Sequence, residues 1–147
     1  MENQENQQNQ NENNTKDTKT PKYTKDELAV IFDDILFQGY YQEDSKIRGK
    51  LAVSFRSRNA EDTSAISRKL DASSFNLGST YIEQRALWNL ASSVMSIQGK
   101  DWSKLTLDQR YAELGKLNSQ LVSLLSTSLV EFDTKIDAAL KEGEANF

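Results

Sequence analysis

Between Lys46 and Arg58 the chain carries five basic side chains, Lys46, Arg48, Lys50, Arg56 and Arg58, with no acid among them. In an extended chain these even-numbered positions project to one face, which concentrates positive charge on one strip. Such a strip can dock an acidic segment of another protein. It can equally be a solvated strand edge, kept charged against edge-to-edge pairing, or a grip on nucleic-acid phosphates. The last reading is disfavoured. The whole chain has a net charge of −4 and a pI near 4.9, whereas phosphate binding draws on net or strongly local positive charge. Phe55, which could stack on a base, has the opposite parity. Trp102 is the sixth residue of interest. It follows the expected end of a helix, where an indole serves as a packing lid or as an interface anchor.

Other chemistry is excluded by composition and spacing. The chain has no histidine and no cysteine, so Ser–His and Cys–His nucleophile pairs cannot be built and the commonest zinc ligands are missing. Asp33 and Asp34 are adjacent, and on a helix they point about 100° apart instead of forming an acid–base pair. The glycines stand singly, which rules out a dinucleotide fingerprint or a phosphate-cradling loop. We therefore expect a non-enzymatic chain with no catalytic, cofactor-binding or metal-binding residues. No apolar run approaches the roughly twenty residues that cross a bilayer. The N-terminus is acidic and amide-rich, unlike a secretory signal, so a cytoplasmic protein without membrane contact is expected.

The elements that would position the basic strip can be read from periodicity. Asn and Gln make up most of residues 1–14, and residues 1–22 as a whole are expected to be a disordered tail, because almost nothing in them can be buried to offset the entropy of ordering. A single mostly helical domain is expected over 23–147. Thr24 and Glu27 form a capping box, and Leu28, Ile31, Phe32, Ile35 and Leu36 then mark a helix over about 25–37, ended by Gly39. From Lys46 to Arg58 the period changes to two, with Ile47, Gly49, Leu51, Val53 and Phe55 on the other parity. A turn at Glu43-Asp44-Ser45 pairs this strand with residues 37–42, placing a β-hairpin near 37–58. Asn59 and Asp62 open a helix over 60–71. Thr80 and Glu83 open a second, whose apolar residues cover most of its circumference up to Gly99.

Thr106 and Gln109 begin the last segment, where Leu107, Tyr111, Leu114, Leu117, Leu121, Leu124, Leu125, Phe132, Ile136 and Leu140 hold one stripe. This predicts a long C-terminal helix near 107–141. It is longer than a small domain needs, so Gly115 or the Asn118-Ser119 step breaks it, or part of it projects and is shared with a second copy as a homo-oligomer. The resulting fold class is mainly α with a minor β component. It is a helical bundle of about four helices, with one small β-hairpin and the disordered N-terminal tail.

The run Gly49-Lys50-Leu51-Ala52-Val53-Ser54-Phe55-Arg56-Ser57-Arg58, leading into the acidic capped helix at Asn59 to Asp62, resembles small tailed-phage virion assembly proteins, in particular tail or baseplate-hub assembly chaperones, over residues 46–140. The resemblance implies a helical protein that binds a larger virion component in the host cytoplasm, without a reaction or a cofactor. It transfers no individual residue role. The expected function is accordingly a non-enzymatic, protein-binding assembly factor. The alternatives are a permanent structural subunit of a phage neck or baseplate, located in the virion, and a nucleic-acid-binding regulator.

Overall fold

In the computed structural model, which describes residues 22–72 and 79–146, helix α1 (Lys25–Gln38) leads to strands β1 (Gln42–Ile47) and β2 (Leu51–Arg56) and helices α2 (Ala60–Asp71) and α3 (Ser79–Ser93). Strands β3 (Val94–Ile97) and β4 (Lys100–Asp101) and helices α4 (Leu107–Leu114) and α5 (Ser119–Ala145) complete it. Residues 1–21 of the expected 1–22 tail, the Thr80 side chain of the second capping box and the link through Ser73 and Ser74 lie outside the described residues.

Helix starts are where local chemistry dictates them. Thr24 with Glu27, Asn59 with Asp62 and Thr106 with Gln109 each make both hydrogen bonds of a capping box, satisfying backbone N–H groups that a helix start leaves without partners. Gly39 ends α1 in the left-handed region at φ 88°, its N–H bonded to the Ile35 carbonyl.

Five helices, not four, are present among the described residues, because the 107–141 stripe is two helices. Gly115 caps α4, and three residues later the Asn118 side chain accepts the N–H groups of Gln120 at 2.8 Å and Leu121 at 3.3 Å to start α5. Both candidate break points are therefore used. The apolar stripe of α5 is covered within the chain, with Leu125, Leu129 and Phe132 on the sheet and Ala139 against Leu28 and Ile31 of α1.

The β component is a four-stranded antiparallel sheet in the order β1-β2-β3-β4, larger than the expected hairpin. The hairpin itself is shifted. Its turn is Arg48–Lys50, with Arg48 and Gly49 left-handed at φ 54° and 69°, while Glu43, Asp44 and Ser45 are extended in β1, opposite Phe55, Ser54 and Val53. Two successive left-handed residues match the right-handed twist of paired strands and favour glycine at the second, and the period-two pattern is silent about them. Phe37 and Gln38 remain in α1.

The second addition is β3. The helix expected to reach Gly99 stops at Ser93, and Val94–Ile97 pairs with β2, aligning Val53 with Ile97 and Ser54 with Ser96. A continuous apolar run has no period that separates helix from buried strand, and a sheet neighbour decided it. The abandoned end of α3 is satisfied from α4, where the Arg110 guanidinium donates 3.0 Å bonds to the Ala91 and Ser92 carbonyls. The main core lies between the sheet and the helices. Leu51, Val53 and Phe55 pack with Leu90, Leu114, Leu125, Leu129 and Phe132, and Ile66, Leu70 and Trp88 form a satellite beneath α2.

Candidate functional site

The shifted turn redistributes the basic strip. Lys46 lies on β1, opposite Ala52, Arg48 and Lys50 form the turn, Arg56 ends β2, and Arg58 lies beyond it. Lys46 and Arg56 share one sheet face, but the five cations do not form one surface.

Arg56 and Arg58 are drawn into the fold. The Arg56 guanidinium lies 3.8 Å from the centroid of the Tyr40 ring, a stacked cation–π contact. Arg58 donates to Ser93 Oγ at 2.6 Å and to Asp133 Oδ2 at 2.7 Å. Trp102 is 7% exposed and belongs to the main core, so the structure places it as a packing lid. Lys46, Arg48 and Lys50 remain exposed.

Lys46 and Arg48 border a groove of about 450 Å³ between β1 and α5. Its apolar lining comes from Ile47, Phe55, Leu124 and Phe132, and its charged lining from Lys22, Lys46, Arg48 and Lys135 against Glu43 and Glu131. Four cations face two anions in a chain whose overall charge is negative. Glu43, Ser45 and Ile47, alternate residues of β1, line the groove.

One end of the groove is held by a polar network. The Glu43 carboxylate is ion-paired with Lys135 and accepts the Tyr41 hydroxyl at 2.9 Å. The Tyr41 ring stacks on Phe132, 6.0 Å between centroids and 15° between planes. Burial foremost, then the bond to Glu43 and the negative charge there, pushes the Tyr41 phenol above the usual tyrosine range. Sequence reasoning missed Glu43 and Lys135, since 92 residues separate them and no local period can signal such a pair.

A second surface carries apolar chemistry. On α1, Leu28 and Ile31 are buried, while Phe37 is 81%, Val30 58% and Leu36 53% exposed. Val30 and Phe37 are seven residues apart, two helical turns, and share a face. Leu36 lies about 100° round from Phe37, where it joins Ala29 and Phe32 along a second groove that reaches Gly143 of α5.

These surfaces present charge, backbone and apolar area. No cluster of three or more carboxylate, imidazole or thiol groups able to hold a metal ion occurs among the described residues, and no described helix is long and apolar enough to cross a membrane. Compared with protein-family models, curated proteins and solved structures, the chain matches none.

Proposed function

We propose that this chain is a non-enzymatic assembly factor that binds another protein through the outer face of α1. The observation that carries the reading is the exposure of Val30, Leu36 and Phe37 on a single 14-residue helix. Covering a side chain of this size is worth about 1.5–3 kcal/mol, and a grouped apolar surface on a small domain is a common mark of protein association. The resemblance to tailed-phage assembly chaperones supports a virion component as the partner. The absence of histidine and cysteine leaves few routes to catalysis and supports binding as the activity.

The test is chemical cross-linking in the native source with the full chain and its Phe37→Ser variant as baits, followed by mass spectrometry. The wild-type chain is expected to retain a defined partner that the variant loses while keeping its circular dichroism. Identical partner sets for both baits would remove α1 from the reading. Counting copies in purified particles separates the assembly factor from a permanent structural subunit, because the factor is expected to be absent from mature particles.

A further inference from the structure

We infer that β1 is a self-complementary edge through which two copies of this chain join their sheets into one eight-stranded antiparallel sheet. The backbone argument comes first. Tyr41 exchanges bonds with Ser57, its carbonyl accepting the Ser57 N–H at 2.8 Å and its N–H donating to Ser57 Oγ at 2.9 Å. Bonding alternates along an antiparallel pair, so Glu43, Ser45 and Ile47 also bond toward β2, and the peptide groups of Gln42, Asp44 and Lys46 point away from it.

The far side of β2 gives the same parity independently, because Ala52, paired with Lys46, turns its N–H and carbonyl toward Gln98. β1 is the outer strand of the sheet. Among the described residues its outward groups are thus open, apart from a long 3.3 Å bond from the Gly49 N–H to the Lys46 carbonyl, which leaves that oxygen a second lone pair.

The side chains then select the occupant. Around Ser45 the strand is charge-antisymmetric, with Asp44 on one side and Lys46 on the other. Among the described residues, Asp44 and Lys46 have no ion-pair partner. When two β1 strands pair antiparallel about a twofold axis at Ser45, Asp44 of each copy faces Lys46 of the other. The parity above makes Asp44 and Lys46 a hydrogen-bonded pair, so backbone and charge agree on one register. A slip of one residue would set outward peptide groups of one copy opposite inward ones of the other and is excluded by the same parity. The twofold closes the assembly at two copies, because the same patch serves both sides, and β4 at the other edge is only two residues long.

Ser45 supplies the decisive test. It falls on the twofold in a non-hydrogen-bonded pair, where opposed Cα atoms approach to about 4.5 Å, a separation a disulfide can span. The chain has no native cysteine. Ser45→Cys in the full chain is expected to form a disulfide-linked dimer on air oxidation, and the control Lys50→Cys, in the turn, is expected to remain unlinked. Analytical ultracentrifugation of the wild type over its soluble range should show monomer and dimer in exchange. Lys46→Glu and Asp44→Lys should each raise the dimer dissociation constant by roughly twenty-five-fold or more, as two exposed ion pairs at about fivefold each are lost. The combined Asp44→Lys/Lys46→Glu variant should restore the wild-type value. Phe37→Ser should leave it unchanged, so this inference and the α1 reading fail separately. A wild type that stays monomeric at every concentration overturns the inference, as does a dimer indifferent to both charge reversals. A monomer whose edge instead binds a labelled alternating Glu-Val peptide would assign β1 to a different protein and overturn it too.

Discussion

The Arg58 guanidinium donates to the Asp133 carboxylate across 2.7 Å, tying the chain just beyond β2 to the middle of α5. Its other terminal nitrogen reaches Ser93 Oγ, at the residue where α3 gives way to β3. One side chain, 17% exposed, therefore pins three elements that meet only in the folded state. Arg58→Ala is expected to lower unfolding stability by about 1–3 kcal/mol, since it leaves a half-buried carboxylate and a buried hydroxyl short of a donor. Arg58→Lys should recover only part of this, because an ammonium on a flexible stem cannot reproduce the two-pronged geometry. Urea unfolding monitored by tryptophan fluorescence measures both, and an unchanged midpoint for Arg58→Ala would show that the contact contributes nothing.

Gly143 lies on α5 against the Phe32 ring of α1, so closely that a methyl group at position 143 would overlap the ring. Glycine inside a helix ordinarily costs about 0.5–1 kcal/mol relative to alanine. Here the sign is reversed, and Gly143→Ala is expected to destabilise by about 1–3 kcal/mol through overpacking. In a Phe32→Ala background the same substitution should become stabilising. A double-mutant cycle by thermal unfolding checks this coupling, and strict additivity would contradict it.

Tyr41 predicts an alkaline limit. Its phenol is raised above the ordinary tyrosine value by burial and by Glu43, so below about pH 10 both folded and unfolded chains keep the proton and the contribution of Tyr41 is complete. As pH rises past that value the unfolded chain ionises first, and stability falls until the folded-state value is passed. Tyr41→Phe should flatten this alkaline loss. Stability against pH for the two proteins, with tyrosinate absorbance as a second readout, would disagree with the prediction if the curves ran parallel.

Much of the local architecture was legible because its causes are local. Thr24, Asn59 and Thr106 each reach a backbone N–H three residues on, so their caps are encoded within four positions. The odd parity of Leu51, Val53 and Phe55 marked the buried face of β2 for the same reason. The basic strip was less legible. Parity placed all five cations on one face, but the left-handed Arg48 and Gly49 end the alternation between Ile47 and Leu51, and the partners of Arg56 and Arg58 include Asp133, 75 residues away.

By itself the sequence determined the starts of α1, α2 and α4, the face of β2 that is buried, and a composition without imidazole or thiol, all set by neighbouring residues or by residue type. Tertiary structure alone decided that Val94–Ile97 is a strand, that Arg58 clasps Ser93 and Asp133, and that among the described residues β1 is an outer strand beside a basic groove. Those outcomes depend on which distant segment supplies the hydrogen bonds and counter-charges, and neither periodicity nor spacing along the chain carries that information.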